Sequence, residues 1–583
     1  MTINRRSLLG AGAAAGTALV ADDPAQSAER AQPSRWTHTA DVVVVGAGAS
    51  GVVAAIAARE AGASVILLEA EAHAGGHAIC SGGNVPLGGG TSAQKKYGVD
   101  DSPDLLFRDL TDWSVVEANG AADYRFNDRE IIRAFADHSA ATFEFLVAHG
   151  VVFVDKAPDN FGGSSVGGSV PREMHAAPVD WPLIQTGKPA DPAVRLTMST
   201  GNGLMHPLIA AAKKAGVQLL LEHRMTGLHR RPGGRVTGVS VAHKGARLEV
   251  RARKAVVLGT GGSSSNVDFR RMFNPNLTEE YCGVAGTPWS YQDASGELSA
   301  MAVGASLWGL ANQTGEFGSA LTKAGLIGTR YGYVNLTWQP GSAVFDRAGA
   351  IGLRVKDWQD VILVNMIGAR FYDETGAQYG SNNAGSSKSY VQGSWRNAAD
   401  HAWRPQNFLA AATAGIGDGK SGGGPIWAIF DADGAAREGW TTAYPHVDEK
   451  NGFFFSAATL AELARKIANP YQRLPMPPEA LERTVARYNG FVDAGKDDDF
   501  AKPKPAHKIE KGPFYAAWAT PVIHDTRAGV RINARCQAMD MTGKVIPGLY
   551  CGGETAGGFS QHGLARATCQ GFIAGREAAG EQV

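Results

Sequence analysis

The sequence predicts an α/β fold, and three blocks of residues predict it. Asp41-Val42-Val43-Val44-Val45 is a β-branched run that enters the turn Gly46-Ala47-Gly48-Ala49-Ser50-Gly51 and then an Ala-rich helical stretch from Val52 to Ala61. Ala255-Val256-Val257-Leu258 repeats the pattern into Gly259-Thr260-Gly261-Gly262. A third copy runs from Ile546 to Cys551 into Gly552-Gly553-Glu554-Thr555-Ala556-Gly557-Gly558, ahead of a helix-like run from about Ala567 to Ala579. Apolar runs without polar alternation are what strands covered on both faces require.

The first block carries the chemistry. Gly46 permits the tight turn, Gly48 lets backbone approach a pyrophosphate, and Gly51 lets the helix pack close to the sheet. Ala49 and Ser50 then stand at the helix N-terminus, where amide groups and a partial positive charge favour phosphate. Gly62 ends the helix, and Ser64 to Leu68 form a second strand closing on Glu69, 18 residues beyond Gly51. A carboxylate there accepts from ribose hydroxyls and repels a 2′-phosphate, which disfavours NADP. Strand, glycine turn, helix, strand and acid in that order predict dinucleotide binding.

Composition narrows the class. The chain has 583 residues, 74 of them glycine, about 13% against a usual roughly 7%. Eleven lie between Gly46 and Gly90 and nine between Gly548 and Gly580, so the surplus gathers at the blocks and marks a path for a bound dinucleotide. Basic and acidic residues balance at 56 each, which argues against nucleic acid or an anionic membrane surface as main partner. Cys80, Cys282, Cys536, Cys551 and Cys569 never form C-x-x-C, so a disulfide framework, a zinc site and a c-type haem are not expected. No metal ligand set is expected.

Residues 1–28 read as a signal peptide: Arg5-Arg6, a short apolar run and a small-residue exit. The arginine pair points to twin-arginine export and a periplasmic location. Residues 29–38 read as a linker. No later stretch reaches the 18 apolar residues of a membrane span.

Further along, Glu130 to Ala148 patterns as a helix, Asn202 to Gly216 as a helix with a glycine stop, and Val217 to Arg224 as a strand. Gly415 to Gly424 reads as a flexible loop and a candidate lid hinge. Asp493 to Lys504, with its Asp run and Lys-Pro alternation, reads as a solvated linker.

A second glycine loop, Gly75-Gly76-His77-Ala78-Ile79-Cys80-Ser81-Gly82-Gly83, follows Glu69. With it, the blocks resemble the flavoprotein family of fumarate reductase and succinate dehydrogenase, which includes soluble fumarate and urocanate reductases and 3-ketosteroid dehydrogenases. The resemblance covers most of residues 40–583. It implies a split Rossmann-like FAD-binding domain, residues 39–275 and 512–583, with an inserted α+β capping domain, 276–511. It implies that Gly46, Gly48 and Gly51 hold the pyrophosphate and Glu69 the adenosine ribose. Gly76, His77, Ala78, Gly82 and Gly83 would run past the flavin, and Gly261-Gly262 past the adenine side. Glu554 would reach the ribityl chain. The helix starting near Arg566, with Ala567 and Thr568, would aim its N-terminus at the flavin C2 oxygen. The His77 loop resembles noncovalent members.

On the substrate side, His524 in Pro521-Val522-Ile523-His524-Asp525-Thr526 matches the family's carboxylate-binding histidine. The stretch from Val361 to Glu374 resembles the hairpin leading to the family's proton-donating arginine, but Gln378 and Tyr379 stand where it would be. The family's His-Pro-Thr is absent near Gly309 to Gln313. The terminal substrate arginine aligns with His562, and Arg566 is the nearest arginine. Those departures disfavour a dicarboxylate. Trp289, Tyr291, Trp308, Tyr331, Tyr333, Trp338, Tyr379 and Tyr390 instead suggest aromatic walls for a ring-bearing substrate, with Tyr379, His524, His562 and Arg566 as catalytic candidates.

Three functions remain open. One is oxidation or reduction of a C–C bond beside a carbonyl on a small ring-bearing molecule. Another is a terminal reductase of the urocanate or fumarate type fed by an external cytochrome or quinone. The third is a flavin-bearing electron-transfer subunit without its own small substrate.

Overall fold

A computed structural model of the protein describes residues 33, 35–112, 127–159, 169–179, 201–231, 233–273, 278–280, 286–308, 321–322, 324–333, 337–371, 373–375, 394–396, 403–405, 424–523, 526, 528–559 and 563–582. The expected signal peptide at 1–28, Gln378, Tyr379, Tyr390, His524, His562 and all but the last residue of the Gly415 to Gly424 loop lie outside them.

The β-branched run forms the strand His38–Val45, buried over Val42 to Val45, at the heart of an eight-stranded sheet. Val65–Leu68 pairs with it in parallel on one side, Val45 opposite Leu68. On the other side the long strand Ala246–Leu258 pairs in parallel, Val45 opposite Leu258, and Val545–Cys551 comes next with Cys551 opposite Leu258. Strand Gln218–Leu220 adds to Val65–Leu68; it covers only three residues of the expected strand Val217 to Arg224, and Arg224 opens the next strand instead. The first half of Ala246–Leu258 also pairs antiparallel with Val236–His243, which pairs with Arg224–Arg230.

Four strands drawn from residues 38 to 551 end level with each other in this register, so the loops that leave them emerge at a single edge. Gly46 N–H donates to Leu68, Gly259 N–H to Val45, Gly552 N–H to Leu258 and Glu69 N–H to Leu220, at 2.7 to 3.0 Å. Three glycine turns separated by hundreds of residues thus meet, together with Glu69, at the carboxyl ends of parallel strands, where open α/β sheets take their ligands.

Two helices cover one face. Ala49–Glu60 is buried over its first ten residues, and Leu564–Gly580 packs against it. A Cβ added at Gly571 would stand 2.3 Å from the Ser50 carbonyl oxygen, and one at Gly575 2.3 Å from that of Ala54. These two glycines therefore serve helix–helix contact and not the dinucleotide path to which the sequence pattern assigns them. Arg129–Ala148 packs against the same helix, with Phe135 on Phe559 and Phe145 on Phe572.

A second, antiparallel sheet has the order Ile362–Val364, Trp427–Asp431, Phe514–Trp518, Phe454–Ala457. Its residues alternate between two cores: Leu363, Ala428, Phe430, Tyr515 and Ala517 on one face, Ile362, Trp427, Ile429, Ala516 and Trp518 on the other. Pro478–Ala494 covers the second face through Leu481, Val485 and Tyr488. Phe514–Trp518 is an inner strand here, which corrects the expected return to the first domain at residue 512. A strand buried on both faces carries no local mark of which sheet owns it.

The expected solvated linker at 493–504 is exposed over most of its length, but two of its charges are not solvated. Asp497 and Lys502 are buried, Asp497 on Arg370 at 3.0 Å and Lys502 on Glu374 at 3.3 Å. Arg370 also makes a two-pronged pair with Glu374, both bonds 2.9 Å. The countercharges come from 127 and 128 residues away, so no local pattern exposes them.

Candidate functional site

The first turn of Ala49–Glu60 has neither a side-chain cap nor an acidic residue. Its leading amides therefore keep the donor capacity and partial positive charge that an anion uses. Gly46 takes φ +95°, and a Cβ there would collide with the Gly259 carbonyl oxygen at 2.3 Å. Gly51 is closed likewise, 1.8 Å from the Gly46 oxygen. Gly48 differs: a Cβ would meet only Gly76 Cα, at 3.9 Å. The space over Gly48, between the two glycine loops, is the open cradle. The residues present fit a dinucleotide pyrophosphate passing there.

Glu69 is buried beside this cradle. One carboxyl oxygen accepts the Ala47 N–H at 2.8 Å and the other the Glu71 N–H at 2.9 Å. Burial raises its pKa, opposed by those two amide bonds. It braces the glycine turn and retains lone pairs for sugar hydroxyls. Ser50 lies under Gly552 and Gly553, whose Cβ positions would fall 2.6 Å and 3.1 Å from its side chain, so the first and last blocks touch directly.

The second glycine loop crosses the same edge. Gly75 N–H donates to Ala47 at 2.9 Å, and Ala78–Cys80 is a short 3-10 turn. Gly82 and Gly83 lead into Asn84–Pro86, which pairs with Glu173–His175. His77 lies against Gly286, where a Cβ would come within 2.7 Å of its ring, and its Nδ1 is 2.7 Å from Gln292 Nε2. Gln292 Nε2 also donates to Glu554, and its Cγ packs over Gly261, 3.4 Å from the position of a Cβ. Gln292 thus joins three of the expected cofactor segments. It belongs to no sequence motif, and only this convergence singles it out. Gly262 is occupied otherwise, since a Cβ there would lie 2.3 Å from Thr526 Oγ1.

The last helix starts at Leu564, two residues ahead of Arg566. Ala567 N–H already bonds Gly563 at 3.2 Å, and the Thr568 hydroxyl turns back to Leu564 at 2.7 Å. Both are therefore held by the helix itself, and the amides leading this N-terminus belong to residues from Leu564 onward. Arg566 is buried and donates to the Phe559 carbonyl at 3.1 Å and to the Ala556 carbonyl. It clamps the final glycine loop.

Of the expected aromatic walls, Trp289, Trp338 and Tyr331 are buried in the main core. His73 stacks on Trp289 at 4.3 Å and Trp338 lies parallel to Trp289 at 6.2 Å, a packed ladder rather than an open wall. Trp308 is the more accessible, 39% exposed, with Arg531 over its ring, Gly558 against the ring edge and Gly557 against its backbone carbonyl.

Glu297, also unmarked in the sequence, is 1% exposed on helix Ser295–Ala302. Neither carboxyl oxygen has a hydrogen-bond partner among the described residues. Burial, with the charges of Asp293 and Glu554, raises its pKa well above the carboxylate range. Away from this edge, Asp159, Glu173 and His175 converge, but they are engaged with each other, with Lys156 and with Asn84. No described helix is long and apolar enough to cross a membrane.

Residues 41–569 match the family described as "FAD binding domain". The urocanate reductase of Eggerthella lenta is 26% identical over 90% of this chain and 71% of its own length. The 3-oxosteroid 1-dehydrogenase of Mycolicibacterium smegmatis is 27% identical over 88% of this chain and 92% of its own. In fold, the chain is similar to the open conformation of a flavocytochrome c3 fumarate reductase, with TM-score 0.58 at 23% identity over 94% of this chain and 79% of that one. FAD is accordingly the cofactor of this protein, and the chain belongs to the FAD-dependent fumarate reductase/succinate dehydrogenase flavoprotein family.

Proposed function

We propose that this protein oxidises or reduces a C–C bond beside a carbonyl, on a ring-bearing substrate that is not a dicarboxylate. One observation carries the substrate half of this reading. Arg566, the arginine nearest the final glycine block, is buried with its guanidinium donating to the Phe559 and Ala556 carbonyls. An arginine held so serves the loop and is poorly placed to clamp a second carboxylate. The substitution of Gln378 for the family's arginine supports the same reading.

FAD, when bound, supplies the hydride acceptor or donor. The chain must polarise the carbonyl, handle a proton on the adjacent carbon and exclude water. Tyr379 and His562 are assigned the proton and His524 the carbonyl. Support for His524 comes from its neighbours: Val522–Ile523 pairs with Leu321–Thr322, and Thr526 accepts the Ser263 N–H at 3.1 Å beside Gly262. That segment joins the cofactor edge to the inserted region.

Anaerobic half-reactions test this. Bleaching of oxidised flavin by saturated cyclic ketones supports desaturation, and recolouring of reduced flavin by enones supports reduction. Tyr379→Phe should slow either half-reaction at least tenfold with FAD retained, as loss of a proton-transfer group does. No response to a broad ketone and enone panel would sink the proposal and favour an electron-transfer subunit.

A second reading is a terminal reductase fed by an external cytochrome or quinone, supported by the likeness to the urocanate reductase. Export through residues 1–28 would suit it. Reoxidation of the reduced enzyme by enones, with reduction only through an added carrier, would favour this reading.

A further inference from the structure

We propose that Gln292 is a positioning residue of the cofactor site, holding His77 as the neutral tautomer with its proton on Nε2. The inference rests on the assignment of the His77 loop and Glu554 to the FAD edge.

The orientation of the amide is set by its neighbours. One atom of the Gln292 terminus lies against the Glu554 carboxylate and, at 2.7 Å, against His77 Nδ1. Oxygen in that position would face a carboxylate that only accepts, whereas NH2 offers two donors. The NH2 group therefore stands there and serves both neighbours. A ring nitrogen that receives an amide proton has its lone pair engaged, so Nδ1 is the acceptor and the imidazole proton sits on Nε2. His77 has little freedom to turn away, because Gly286 abuts its Cδ2. Gln292 is itself 3% exposed and packed over Gly261.

The other end of the amide points to a ligand. Gln292 Oε1 is buried without a hydrogen-bond partner among the described residues. A buried acceptor left unpaired is costly, and FAD offers hydroxyl and N–H donors. Gln292 would thus fix three things together: the His77 loop, the ribityl-side Glu554 and the cofactor that passes between them. A neutral imidazole protonated on Nε2 and engaged at Nδ1 also has no spare lone pair for a bond to the flavin, which is a physical reason for noncovalent FAD.

Two-bond 15N–1H NMR of the holoenzyme labelled at histidine nitrogens tests the tautomer, with His77→Gln identifying the signal. The expected result is an unprotonated Nδ1 and a protonated Nε2 for His77 near neutral pH, replaced in Gln292→Leu by averaged, titrating signals. FAD affinity, read by flavin fluorescence on reloading, should fall about tenfold in Gln292→Leu, the loss expected for one to two hydrogen bonds. Acid precipitation should release all FAD from the wild type. A protonated Nδ1 in the wild type, or a Gln292→Leu signal unchanged from it, overturns the inference. Unchanged FAD affinity in both His77→Gln and Gln292→Leu, with the tautomer as expected, would instead overturn the placement of this loop beside the cofactor.

Discussion

The Glu69 carboxylate accepts the Ala47 backbone N–H at 2.8 Å, across 22 residues that include the first helix and all of the first glycine turn after Gly46. An acid expected only to meet a ribose therefore also sets the shape of the loop expected to hold the pyrophosphate. Glu69→Ala should weaken FAD binding about 10- to 100-fold, since hydrogen bonds to a charged group contribute about 1.5–3 kcal/mol. Glu69→Gln keeps an acceptor for one amide and should fall between. Fluorescence titration of the apoprotein with FAD checks both; equal affinity in Glu69→Ala and wild type would remove Glu69 from the site.

Gly571 sits with its Cβ position 2.3 Å from the Ser50 carbonyl oxygen. Gly571→Val must push the last helix off the first and should destabilise the protein by about 1–3 kcal/mol, the usual cost of overpacking. Ser50 adjoins Gly552 and Gly553, so FAD should also be held more loosely. Thermal denaturation with and without added FAD measures the two effects.

Strand runs ending in glycine turns are legible in the sequence because they are local: Val42 to Val45 and Gly46 lie side by side. Their register on one edge also comes from parallel pairing. The purpose of each glycine is not legible, since Gly571 answers to Ser50 and Gly262 to Thr526, partners hundreds of residues distant. The burial of Asp497 and Lys502 is hidden for the same reason, because a charge looks solvated until its partner is located. Gln292 and Glu297 match no motif and become visible only through their surroundings in the fold.

Lys502, Arg370 and Glu374 form a buried charge cluster beneath the second sheet. Burial alone would raise the Glu374 pKa, but Arg370 and Lys502 outweigh it and hold it at about 2. A folded-state pKa below the unfolded value of about 4.3 gives stability that is complete above about pH 5 and lost as pH falls toward about 2. Glu374→Gln should therefore destabilise most near neutral pH and flatten the acid limb of stability against pH. Lys502→Met, which strands a buried charge, should cost about 3–5 kcal/mol at about pH 7. Urea unfolding from about pH 3 to about pH 8 checks the slope; parallel curves for wild type and Glu374→Gln would contradict the coupling.

Glu297 behaves in the opposite way. Burial first, then the charges of Asp293 and Glu554, raises its pKa, so the folded protein holds a proton that the unfolded chain releases above about pH 4.3. Stability then declines as pH rises from that value toward the folded pKa. Glu297→Met removes both the unpaired oxygens and this linkage, and Met fills similar volume without polar atoms. The variant should gain on the order of 1–3 kcal/mol at about pH 8, the desolvation cost of unsatisfied buried polar atoms, and less near about pH 4, where both states are largely protonated. Melting temperatures of the FAD-loaded protein at the two pH values decide it. A loss of stability at the higher pH, accompanied by release of FAD, would mean that the carboxyl oxygens are partnered by the cofactor.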